Sequence, residues 1–128
     1  MENFYLKVPN DVKDFWSVSE SAVLFKDVDY GQWGLEILSP EKAMLRSNVE
    51  KERRSTDYYD TDLVIGSFLG DSDLLIISCD ENSKNYGTVL ISLPLDRRSD
   101  WPVVGESFLA FLEKYAFSEG DKFWEPSL

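Results

Sequence analysis

Apolar residues in the first half of the chain come in short bursts of different spacing. Val12, Phe15 and Trp16 recur at helical spacing behind Pro9. Asn10 and Asp11 give that segment the acidic opening that the positive end of a helix dipole favours. Residues 22–25 (Ala-Val-Leu-Phe) form a short apolar run, ended by Lys26-Asp27, that predicts a strand. Asp29, Tyr30 and Gly31 turn the chain, and residues 33–38 then alternate as a second strand does. Ser39-Pro40-Glu41 marks a helix start. Ser39 can cap free backbone N–H groups, and Pro40 has no N–H to leave unpaired. That helix is predicted to run to about Arg54, with Leu45 and Val49 on one face and Lys51, Glu52, Arg53 and Arg54 in solvent.

The second half is denser in strands. Residues 55–62 are polar and read as a loop, with Tyr58-Tyr59 set among Asp57, Asp60 and Asp62. Strands are predicted over residues 63–69, 74–79 and 87–93. A tight turn, Gly70-Asp71-Ser72-Asp73, joins the first two, and the polar loop 80–85 joins the next. Connections this short favour antiparallel pairing, because a parallel crossover needs about a dozen residues or more. Pro94 and Pro102 bracket a loop in which Arg97 and Arg98 are either solvated or paired with nearby acids. A last helix starts near Glu106-Ser107, with Phe108, Leu109, Leu112, Tyr115 and Ala116 on a broad apolar stripe. The tail, 117–128, reads as irregular, with Phe123 and Trp124 able to dock it. This order predicts one α+β domain over residues 1–128: a mostly antiparallel sheet packed against N-terminal, central and C-terminal helices.

Composition adds limits. With 128 residues and 43% hydrophobic side chains, the chain can bury a core without disulfides or metal. Its one cysteine excludes an intramolecular disulfide, and Cys79, ending the apolar run 74–78, reads as an inert core thiol. No signal-like segment opens the sequence, and no run approaches the ~18–20 apolar residues of a membrane span, so a cytoplasmic location is expected. The net charge of −11 is uneven. Residues 57–128 carry fourteen Asp and Glu against five Lys and Arg, whereas residues 1–56 carry ten against eight. Such charge repels nucleic acid and anionic membranes. It either attracts a basic protein or a cation, or serves solubility alone.

The chain has no histidine, which removes the commonest general base and His-assisted nucleophiles. One Cys without His cannot build a usual zinc tetrad. Neither a Walker loop nor a GxGxxG is present. No cofactor and no metal is expected. Carboxylate chemistry with a divalent cation would have Asp60/Asp62 and Asp71/Asp73 as candidate pairs. Among 24 acids such spacings arise by chance, and solvated loop carboxylates are the plainer reading. Phe15, Trp33, Phe68 and Phe108 read as core. Tyr58, Tyr59 and Tyr86 fall in loops beside carboxylates, where Tyr supplies contact area at low entropic cost. The Tyr58-Tyr59 pair reads either as a recognition surface for a basic partner or as one ring packed inward with the other capping the loop. The candidate partner-binding set is Tyr58, Tyr59, Asp60, Asp62, Asp71, Asp73 and Glu81.

Four segments, in order, resemble the SMI1/KNR4 family of the SUKH superfamily. Val8-Pro9 followed by Val12 and Phe15 is similar to its opening LP-x-x-h-x-x-F. Residues 30–39 (Tyr-Gly-Gln-Trp-Gly-Leu-Glu-Ile-Leu-Ser) are similar to its strand leading into the next helix. Leu63-Val64-Ile65-Gly66 before Gly70-Asp71 resembles its h-x-I-G strand and Gly-Asp turn, and residues 105–112 resemble its closing S-F-x-x-F-L helix. The chain departs from the family in starting almost at the Val-Pro segment, without the usual upstream helix, and again beyond Tyr115. The resemblance implies a non-catalytic α+β domain that in many bacteria is an immunity protein, binding and neutralising a cognate toxin, often a nuclease. Fungal relatives act as regulatory scaffolds, the second role it leaves open; a carboxylate enzyme is a third. The leading expectation is a cytoplasmic immunity protein, a monomer or weak homodimer, whose partner is a basic toxin domain.

Overall fold

Strands pair in the order in which they leave the chain. The computed structural model describes residues 7–19, 21–24, 34–70, 72–120 and 122–125. Among these, β1 (Ala22–Leu24), β2 (Gly34–Ile37), β3 (Asp62–Leu69), β4 (Leu74–Ser78), β5 (Val89–Ser92) and β6 (Val103–Gly105) form one antiparallel sheet in chain order. Helices α1 (Asn10–Val18), α2 (Pro40–Arg53) and α3 (Phe108–Phe117) pack on it, giving a single α+β domain. Strand β6 was not anticipated. It follows Pro102 directly, and only its pairing with Val89 and Leu90 makes it a strand. The predicted strand residues Phe25 and Trp33 lie outside the described residues. Among the described residues no helix is long and apolar enough to cross a membrane.

Directly paired residues share a face of a sheet, so the register sorts the side chains. Leu35, Ile37, Phe68, Leu75, Ile77 and Ile91 lie on one face; Glu36, Ser67, Leu74, Ile76, Ser78 and Ser92 lie on the other. The first face carries α3, where Phe68 meets Tyr115 with ring centroids 6.3 Å apart. Helix α1 joins α3 through the perpendicular rings of Phe15 and Phe108, 5.7 Å apart, and Asp11 accepts a hydrogen bond from Leu109 N at 3.0 Å. Trp16 Nε1 donates to Leu38 O at 3.0 Å. Helix α2 covers part of the second face. Because β4 is covered on both sides, all five of its residues are buried, and its sequence is a continuous apolar run rather than an alternation.

Helix α2 starts as predicted: Ser39 Oγ accepts from Lys42 N at 3.3 Å, and Pro40 is the first helical residue. Its packing face differs from the simplest reading. Ala43, Ser47 and Glu50 are buried, whereas Leu45 and Val49 are 67% and 53% exposed above a groove with Glu36 and Ser67. Small side chains let the helix approach the sheet. Ser47 Oγ donates to Ala43 O at 2.6 Å and accepts from Val64 N at 2.8 Å, where the β3–β4 register shifts between Val64 and Gly66. Arg54 is not solvated: it donates to Leu93 O, Asp96 O and the Asp57 carboxylate. In α3 the buried residues are Phe108, Phe111 and Tyr115, while Leu109 is 55% exposed. The tail does dock. Trp124 packs 5.5 Å from Phe68 and 6.1 Å from Phe111.

Candidate functional site

Beyond the end of α2 the second sheet face opens into a cleft of about 440 Å³. Ser78 of β4 and Leu90 of β5 lie on the sheet beneath it. Tyr59, Thr61 and Arg98 form one side, and Asp80, Ser83, Asn85 and Thr88 come from the β4–β5 connection. Val103 of β6 and Glu106 complete the lining. The cleft thus gathers three segments that are far apart in the chain, all carried by neighbouring strands.

Arg98 organises the wall. Its guanidinium engages both carboxylate oxygens of Asp62: Nη1 bonds Oδ2 and Nη2 bonds Oδ1 at 3.0 Å. Nη1 also donates to Asp57 O at 3.1 Å, and the Arg98 backbone N–H donates to Asp57 Oδ1 at 3.3 Å. The guanidinium lies 3.7 Å from the Tyr59 ring centroid, a cation–π stack that holds an otherwise exposed ring. Asp62 is wholly buried, and its Oδ2 also accepts from Tyr59 N at 2.7 Å. A second arginine supports the same loop from behind. Arg54 bonds Asp57 and lies 5.3 Å from the Trp101 ring centroid; Trp101 in turn meets Tyr58 edge-on at 5.3 Å.

Burial shifts the nearby titratable groups toward their neutral forms. Burial, reinforced by the Asp62 charge, pushes the Cys79 thiol up to about 12. Burial likewise raises the Tyr58 phenol to about 12, against the opposing hydrogen bond with Ser92. Lys51 is lowered by burial while Asp62 and Asp60 pull it up, and its Nζ donates to Asp60 O at 2.6 Å. No described group of three or more His, Cys, Asp and Glu residues could hold a metal ion. What the cleft offers is hydroxyl and carboxylate oxygen with an aromatic edge, a lining suited to donors of hydrogen bonds.

The profile of the SMI1 / KNR4 family (SUKH-1) matches residues 2–114. The chain belongs to the SMI1/KNR4 family. No curated protein and no solved structure gives a significant match. The SUKH-1 segments that fall in the described residues build the sheet and helices that carry the cleft and, Glu106 apart, not its lining. Pro9 precedes α1, and Ser107 caps α3 by accepting from Ala110 N at 3.0 Å. Phe108 and Phe111 fill the core. A Cβ at Gly66 would stand 3.0 Å from Leu35 Cδ1 and 3.2 Å from Glu36 O, so a side chain there would push its neighbours by a few tenths of an ångström.

This SUKH-1 domain divides the predicted contact residues. Tyr59, Asp60 and Glu81 are exposed, with Tyr59 lining the cleft. Tyr58 is 5% exposed, its hydroxyl bonded to Ser92 Oγ at 2.7 Å, so it is a core residue with no surface to present. Asp62 is 0% exposed and belongs to the Arg98 pair. Asp73 is 8% exposed and bonded to Lys122 Nζ at 3.1 Å, away from the cleft lining. Asp71 lies outside the described residues. Ser78, Asp80 and Glu106 were not among the predicted contacts, and of the two readings of Arg98 the structure bears out its pairing with acids. Two signals were available: Ser78, a polar residue closing an apolar strand, and the Arg97-Arg98 pair set among acids.

Proposed function

We propose that this SUKH-1 domain is an immunity protein that binds a cognate bacterial toxin domain with a basic surface and neutralises it by stoichiometric contact. Family membership over residues 2–114 carries the reading. The surface supports it. Tyr59, which lines the cleft, is exposed, as are its neighbour Asp60 and, next to the lining residue Asp80, Glu81. Tyr59 is pre-positioned by Arg98, so its contact area costs little further ordering on binding. The surplus of nine negative charges in residues 57–128 steers a basic partner, and on a nuclease it competes with nucleic acid for the same surface.

Co-expression with the toxin encoded beside this gene tests the role: growth is rescued and the two proteins co-purify. Failure of both rescue and complex formation at micromolar concentration refutes it. The paired substitution Asp60→Lys with Glu81→Lys locates the surface. It slows association about tenfold at low salt and flattens the salt dependence. An unchanged association rate assigns the interface to another face.

A further inference from the structure

We propose that the cleft is a socket for one lysine or arginine side chain of a protein partner, a proposal that rests on the partner-binding role above. Its volume, about 440 Å³, is on the scale of specific ligand sites. Ser78, at its base, is only 9% exposed. The Ser78 backbone is fully used, its N–H donating to Thr88 O at 2.9 Å and its C=O accepting from Gly87 N at 2.7 Å. Its hydroxyl lines the cleft, makes no hydrogen bond within the described residues and keeps access to solvent. An occupant that displaces water from it must replace that hydrogen bond, which a polar group does and an apolar one does not.

Charge decides the sign of that occupant. Asp80 and Glu106 line the cleft, and Arg98, the one cation among the described lining residues, is already engaged by both oxygens of Asp62 and by Asp57 O. An anion entering would meet two carboxylates without a free positive partner. An ammonium or guanidinium finds hydroxyl acceptors from Ser78, Thr61 and Thr88 and a carboxylate from Glu106. Leu90 and Val103 supply apolar surface for the methylene stem that precedes such a head group. A side chain with an apolar stem and a cationic tip matches both parts of the lining.

The test needs no toxin. The ¹⁵N-labelled full chain is titrated with N-acetyl-arginine amide, N-acetyl-lysine amide, N-acetyl-norleucine amide and spermidine. Saturable amide shifts centred on Ser78, Thr88 and Glu106 are expected with the arginine or lysine probe and not with norleucine. Glu106→Gln, on an exposed side chain, weakens that binding about threefold while the spectrum stays dispersed. Equal shifts with norleucine, shifts spread over the acidic surface, or affinity unchanged in Glu106→Gln would overturn the socket. Tighter binding of spermidine than of either amino-acid probe would overturn the assignment to a side chain in favour of a free polyamine. A chain that rescues cells from the toxin yet fails this titration loses the socket alone. One that passes the titration without rescue loses the immunity role alone.

Discussion

The carboxylate of Asp62 is wholly buried, and both its oxygens bond the guanidinium of Arg98, a residue 36 positions away in the chain. Burying two charges costs several kcal/mol per ion, which only close geometry and further hydrogen bonds offset. Here Tyr59 N and Asp57 O supply those bonds. Removing one partner leaves the other charge stranded. Arg98→Ala is therefore expected to destabilise the fold by about 3–5 kcal/mol in urea unfolding. The double variant Asp62→Asn with Arg98→Met should cost less than Arg98→Ala alone, because no unpaired charge remains. A loss below about 1 kcal/mol for Arg98→Ala would show that the pair is not internal. At this scale little is legible in the sequence, since Asp57, Asp60 and Asp62 look alike in a polar stretch. Their fates differ because only Asp62 opens β3 and is carried under the Arg98 loop.

Helix α2 shows what an element adds to its residues. Its start is encoded locally by Ser39 and Pro40, and those two positions behave as their chemistry dictates. Its orientation is not encoded locally. Leu45 and Val49 offer an apolar edge, but the sheet lies against Ala43, Ser47 and Glu50. The close approach is held by the Ser47 hydroxyl, which satisfies the N–H of Val64 beside the register shift of β3. Ser47→Ala raises intrinsic helix propensity yet leaves that buried N–H unpaired, so a net loss of about 1–3 kcal/mol is expected. By contrast Leu45→Lys, on the exposed face, should change stability by no more than about 0.5 kcal/mol. Urea midpoints of the two variants check the assignment. Equal losses would mean that the helix packs on its apolar edge after all. The same ambiguity of phase affects α3, where Leu109 is exposed and Phe111 wholly buried.

Across the whole molecule, the core near the cleft protects two acids from ionising. Cys79 is raised from 9.0 to about 12 and Tyr58 from 10.0 to about 12, both chiefly by burial. Between those values the unfolded chain releases protons that the folded chain keeps. The folded state then binds more protons, so stability falls as pH rises through this window and is unaffected by these groups below it. Urea unfolding from pH 8 to 11 should show a declining midpoint that begins near pH 9, shallower in Cys79→Ala. A midpoint that rises with pH, or a slope identical in Cys79→Ala, would contradict the burial of the thiol. Excess negative charge bears on partner choice and association rate, not on the fold.

The sequence alone determined the elements whose signals are local. The cap of α2, the apolar run of β4, the short connections that enforce antiparallel pairing and the hydrophobic segments shared with SUKH-1 domains all depend on neighbours within a few residues. It also determined that the second half is acidic and that the chain contains no histidine. Only the tertiary structure decided which acids are surface and which are internal, which side of α2 meets the sheet, and that β6 exists. These outcomes depend on pairings between distant segments: Asp62 with Arg98, Ser47 with Val64, Leu90 with Val103. The cleft belongs to the same class. Tyr59, Ser78 and Glu106 have no relation along the chain, and the antiparallel order of the strands is what sets them around one opening.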